Sequence, residues 1–90
     1  MDELEICAIV EIEKEKQAFS FVLSELRKAE QKHPTWPEDI VHAVAIMGEE
    51  AGESIQAALN YYYHGGDIEL LKKELGHTGA VVIRCLKNLP

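Results

Sequence analysis

Cysteine is nearly absent from this chain. There are two, Cys7 and Cys85, far apart and each set among apolar neighbours, which argues against a disulfide framework or a cysteine metal cage; both are expected as buried free thiols. Basic residues are also scarce, nine Lys and Arg against sixteen Asp and Glu, for a formal net charge of −7. Such a balance argues against direct binding to a nucleic-acid backbone, which rewards basic patches. A phosphate-bearing small molecule stays compatible with it if a bound cation reverses the local sign. No apolar run approaches the roughly 20 residues of a membrane span. The opening residues Asp2, Glu3 and Glu5 are acidic where a secretory leader needs a basic start. A cytosolic protein with no membrane partner is the expectation.

What the chain does have is apolar surface. Its 90 residues are 47% hydrophobic, too apolar for disorder and short for a generous core. One domain spanning residues 1–90 is expected, with self-association making up for the small core. Proline and glycine punctuate two places, His33-Pro34-Thr35-Trp36-Pro37 and Gly65-Gly66. Prolines forbid a continuous helix at the first, and the second is a helix stop followed by Asp67, a good N-cap. Three helices follow, at about 2–32, 38–64 and 67–88.

In the middle segment Ile40, Val44, Met47, Ala51, Ile55, Ala58 and Tyr62 recur at steps of three and four, one apolar stripe of a helix. Leu71, Leu75, Thr78, Val82, Cys85 and Leu89 repeat likewise in the third, and Phe19, Val22, Leu23 and Leu26 in the first. Residues 5–12 are ambiguous between helix and strand and are read as helix. The expected architecture is all-α: three helices forming a bundle completed by a homodimer or homotetramer. The acidic run from Asp2 to Glu15 reads as a solvated face, and Tyr61, Tyr62 and Tyr63 as core or interface.

The carboxylates are arranged, not merely abundant. Positions three and four apart share a helix face, so Glu49, Glu50 and Glu53 project within one sector. On the third helix Glu74 and His77 share a face that Val81 and Arg84 continue. Antiparallel packing through Gly65-Gly66 brings the two polar patches together. Each like-charge pair at this spacing costs about a few tenths of a kcal/mol on an exposed helix. Burial costs more unless a cation neutralises the group. Oxygen ligands at this density suit Mg²⁺ or Mn²⁺.

Glu49-Glu50-Ala51-Gly52-Glu53 followed by Glu74-Leu75-Gly76-His77 resembles the paired EExxE and ExxD helices of the MazG-like all-α nucleoside triphosphate pyrophosphohydrolases. The Lys32-His33-Pro34-Thr35-Trp36-Pro37 entry and the run from Thr78 to Leu86 are similar to the phage-type branch. The likeness covers about residues 32–89, with residues 1–31 matching only as a leading helix. It implies dimers or tetramers, Mg²⁺ held by the motif carboxylates, and cleavage of a nucleoside triphosphate to the monophosphate and pyrophosphate. Carried over by position, Glu49, Glu50, Glu53 and Glu74 match the acidic motif. Glu50, Glu53, Glu74 and His77 become the candidate metal ligands, and Glu49 or Glu50 the group that activates water. His77 departs from the pattern, standing where the family has Asp; imidazole suits Mn²⁺ better than Mg²⁺.

Three further residues are candidates for substrate. Trp36 can stack on a base or plug the bundle end. Lys32, with His33, can meet phosphate. Arg84 can pair with Glu74 or with a substrate phosphate. Two other functions fit the same residues. Glu74-x-x-His77 also reads as the motif of a di-iron or di-manganese carboxylate redox protein. Alternatively the chain is a catalytically weak helical oligomerisation module.

Overall fold

The computed structural model describes all residues 1–90, and they form three α-helices: α1 (Glu3–Lys32), α2 (Ile40–His64) and α3 (Ile68–Lys87). Each begins with an aspartate N-cap. Asp2, Asp39 and Asp67 accept from the backbone N–H groups of Glu5, His42 and Glu69 at 2.8, 3.0 and 2.9 Å, satisfying donors the first turn leaves free. Residues 5–12 are helical. α2 starts two residues later than the acidic Pro37-Glu38-Asp39 opening suggests, because Asp39 is spent as the cap. It ends at Gly65, whose φ of 64° is left-handed, while the Gly66 N–H reaches back to the Asn60 carbonyl at 3.0 Å. A side chain at Gly66 would press on the Asn60 backbone at 3.1 Å, so the tight α2–α3 turn needs both glycines.

α3 is the centre of the molecule. It packs against α2 on one side and α1 on the other, while α1 and α2 do not pack together. α2 runs antiparallel to it, with Ser54 Oγ 2.8 Å from Thr78 Oγ1 and Thr78 donating on to the Glu74 carbonyl at 3.1 Å. α1 runs parallel: Phe21 and Glu25 lie against Gly76, Val22 against Gly79, and Lys87 Nζ meets Glu30 at 2.7 Å. That ammonium, with Arg27, holds the half-buried Glu30 carboxyl below its usual range.

The contact faces are made of small residues. Ala43, Ser54 and Ala57 of α2 and Gly76 and Ala80 of α3 are buried, and Leu26 at 2% is the only large side chain fully enclosed. The apolar stripes read from periodicity are used only in part: Leu26 is buried, Val22 lies against Gly79, and Thr78 and Cys85 are half-buried at the α2 contact. Val44, Ile55 and Tyr62 of α2, Leu75 and Val82 of α3, and Phe19 and Leu23 of α1 are all exposed, Ile55 at 62% and Tyr62 at 77%. Tyr61 and Tyr63 are exposed too. Residues 1–21 are exposed throughout, Cys7 among them, whereas Cys85 is half-buried near the Ala43 carbonyl. The reason is steric: small faces let backbones approach closely, and one sheet of three helices then has two flat apolar sides left over.

The resulting shape is open. The radius of gyration is 15.9 Å, against about 12 Å for a compact chain of this length. The accessible surface is 6847 Å², roughly 1,500 Å² more than a folded monomer of this mass exposes. No helix is long and apolar enough to cross a membrane.

Arg84 closes the structure at the far end of α3. Only 6% exposed, it donates to the His33 and Thr35 carbonyls, the second at 3.2 Å, and its guanidinium lies 4.7 Å from the Trp36 ring centroid. The α1–α2 loop is therefore strapped to α3 by one side chain. Replacing Arg84 with Ala should lower stability by about 2–3 kcal/mol, since two carbonyls lose a charged donor. Arg84→Lys should recover only part of this, an ammonium having neither the fork nor the flat face. Urea unfolding at fixed protein concentration measures both.

Candidate metal centre

Three helices converge on one point about halfway along α3. Gly65-Gly66 folds α2 back on α3, and the Ser54–Thr78 hydrogen bond sets their register, so Glu50 comes to face Glu74 and His77. One ligand atom from each of these three side chains lies within 4.8 Å of the other two. Glu50 Oε2 and Glu74 Oε2 are buried and have no hydrogen-bond partner. An enclosed carboxylate oxygen without a donor is costly, and a cation is the partner that would satisfy both. Two oxygens and an imidazole nitrogen form a chemically sound donor set for a divalent ion. Glu50 carries the electrostatic strain: desolvation, then the neighbouring charges of Glu53 and Glu74, push its carboxyl above the usual range, against a smaller opposing effect of His77.

The candidate residues divide clearly. Glu50, Glu74 and His77 are brought together. Glu53 is exposed on the same face, close enough for its charge to act on Glu50 but outside the group of three. Glu49, about 100° around the helix from Glu50, is exposed to solvent. Lys32 lines the cleft described next, with His33. Trp36 and Arg84 do not: Trp36 borders a separate small hollow with Pro37 and Cys85, and Arg84 bonds loop carbonyls rather than Glu74.

One residue of the site was not visible in the sequence. Glu25 of α1 is 8% exposed, with Oε2 3.3 Å from His77 Nε2 and Oε1 3.2 Å from Lys28 Nζ. The available signal was a lone acid beside Leu26 on the packing face of α1, which periodicity treats as noise.

The centre opens into a cleft of about 1220 Å³ between α1 and α3, reached by Glu25, Glu50 and His77. Five of the nine basic residues of this acidic chain line it: Lys14, Lys28, Lys32, Lys72 and Lys73. Lys32 and Lys73 make no ion pair within the chain, whereas Lys14, Lys28 and Lys72 are held by acids one turn away. A carboxylate floor beneath a lysine rim can hold a cation and an anion side by side. No family model, curated protein or solved structure matches the chain.

The raised Glu50 carboxyl has a pH signature. Its folded-state value lies above the ordinary 4.5, so the folded protein binds this proton more tightly than the unfolded chain. Without metal, stability should therefore rise as pH falls from neutrality through the raised value, and level off near 4.5. Glu30 acts oppositely but below 4.5, where its lowered carboxyl titrates. Melting temperatures in chelator across this range check it, and Glu50→Gln should flatten the slope.

Proposed function

We propose that the chain is a metal-dependent nucleoside triphosphate pyrophosphohydrolase, converting (d)NTP to (d)NMP and pyrophosphate in clearance of the nucleotide pool. One observation carries this reading: two partnerless buried carboxylate oxygens and an imidazole at the floor of a cleft with a lysine rim. Of the MazG-like motif residues, Glu50 lines the cleft and Glu74 stands behind it in the group of three, with Glu53 exposed beside them. Glu50, Glu74 and His77 would hold Mg²⁺ or Mn²⁺, which when bound neutralises phosphate oxygens and lowers the cost of placing a polyphosphate beside carboxylates.

The chain's own groups then divide the work. Lys32 and Lys73, free of ion pairs, bind phosphate oxygens as point charges. Glu50, made more basic by desolvation, orients a water and takes its proton. Water adds at the α-phosphorus, the bond to the α–β bridging oxygen breaks, and pyrophosphate leaves. Glu49 is exposed, so Glu50 is the better assignment for the water.

The partner is a second copy of the chain, as homodimer or homotetramer. The excess surface noted above, roughly 1,500 Å² per chain, exceeds the about 800 Å² each partner loses in a standard interface. It is of the order obligate dimers bury. The uncovered stripes of α2 and the first half of α1 supply apolar area for it.

A second reading is favoured by one observation. α1, α2 and α3 each bring one inward carboxylate, Glu25, Glu50 and Glu74, with His77 one turn on. That supplies three of the four carboxylates and one of the two histidines of a di-iron or di-manganese carboxylate bundle. Stoichiometric iron in protein purified without chelator would favour it.

A nucleotide panel with Mg²⁺ and Mn²⁺ in parallel tests the first reading by pyrophosphate release. Glu50→Gln should lower kcat by about 10²–10⁴-fold, while Lys32→Ala and Lys73→Ala should act mainly on KM. Absence of release from every (d)NTP with either metal would sink the reading. Sedimentation should give a mass of at least two chains, and added metal should raise the melting temperature.

A further inference from the structure

We propose that Glu25 is a positioning residue that makes His77 a metal ligand through Nδ1, and that this pair turns the site away from Mg²⁺ toward Mn²⁺ or Zn²⁺. The inference rests on the metal-centre reading and adds to it a residue from a helix that the motif does not include.

Glu25 is a charged side chain in a place where charge is expensive. It is buried, on a helix that is exposed at every residue up to Phe21. A carboxylate in that setting must be paired or hydrogen-bonded. Lys28 supplies one partner, from an ammonium that stays largely in solvent. The other is His77 Nε2, 3.3 Å from Glu25 Oε2. The opposite ring nitrogen, Nδ1, faces Glu74 Oε2 at 3.7 Å, too long for a hydrogen bond. Glu74 Oε2 itself has no partner, and neither does Glu50 Oε2. The imidazole thus points one nitrogen at a carboxylate whose other oxygen is held by Lys28. It points the other at Glu74 Oε2, which lacks a donor, with Glu50 in the same group of three.

A neutral imidazole that donates from Nε2 keeps the lone pair of Nδ1 free. A carboxylate accepting that proton fixes the tautomer, holds the ring plane and raises ligand basicity. Two donor atoms each about 2.1 Å from one ion lie roughly 3–4 Å apart, which is the spacing of Nδ1 and Glu74 Oε2. One nitrogen in place of an oxygen matters for the choice of ion. Mg²⁺ takes hard oxygens and gives up water reluctantly, whereas Mn²⁺ and Zn²⁺ accept imidazole.

Gly76 completes the device. A Cβ there would collide with the Phe21 ring and come within 3.1 Å of Glu25 Cγ. The glycine admits the stem of Glu25 to α3, and the next residue, His77, meets its carboxylate. A position where the MazG-like pattern has an oxygen ligand is in this chain served by a nitrogen with its own orienting acid.

The test uses the full chain. In ¹⁵N-labelled protein loaded with Zn²⁺, long-range proton–nitrogen NMR should show His77 Nδ1 at a metal-bound shift and Nε2 still carrying its proton. Calorimetric titration should give Mn²⁺ at least tenfold tighter than Mg²⁺. Glu25→Gln should weaken Mn²⁺ and Zn²⁺ by about 10–100-fold, with Mg²⁺ little changed, and His77→Asp should reverse the order of Mn²⁺ and Mg²⁺. A His77 unmoved by Zn²⁺, binding through Nε2, or equal weakening of all three ions in Glu25→Gln would overturn the proposal while leaving the metal centre standing. Failure of the unaltered protein to bind any of the three ions would overturn both.

Discussion

The close approach of α1 and α2 to α3 is what the rest of the molecule depends on. Gly76 and Ala80, with Gly79 beside them, give α3 a surface on which neighbouring backbones can settle. Against it Phe21, Val22 and Glu25 pack from α1, while Ser54 of α2 meets the neighbouring Thr78. Dispersion and exclusion of water over these small faces hold the helices together. The same closeness brings Glu25, Glu50, Glu74 and His77 to one place. Larger residues at the contact would widen the spacing and leave four separate surface charges.

That economy has a consequence for the monomer. A core built from Ala, Gly and Ser buries little apolar area per residue, so one chain on its own gains little from the hydrophobic effect. The side chains able to supply it, on the outward stripes of α2 and along the first half of α1, are exposed. Association and site formation are thus linked in the proposed reading: the fold devotes its small faces to the chemistry and leaves its large ones for another copy. Arg84 stands at the opposite end of α3 as the tie that keeps α1 and α2 on either side of it, through loop carbonyls and Trp36.

The charge distribution follows the same division. An acidic chain keeps most of its carboxylates in solvent, several of them neutralised by a lysine one turn away. Around the cleft the balance changes, with lysines at the rim and carboxylates at the floor. An isolated anion would be repelled by the floor and an isolated cation by the rim. In the proposed reading a metal–polyphosphate pair would suit both, which joins the cleft and the candidate metal centre into one site.

By itself the sequence determined the local structure: three helices, the Asp67 cap, the glycine turn, and the antiparallel pairing that carries Glu50 to Glu74 and His77. These depend on contacts within a few residues, or on one short turn, and periodicity and capping chemistry record them directly. Only the tertiary structure decided which helix faces are used. A repeating apolar stripe shows that a helix has an apolar side, not that a neighbour packs on all of it, and Val44, Ile55, Tyr62, Leu75 and Val82 stayed exposed. For the same reason it decided which of three neighbouring glutamates turns inward, that Arg84 serves a loop, and that Glu25 meets a histidine half the chain away. Such pairings depend on where α1 comes to rest on α3, which no residue of either helix specifies alone.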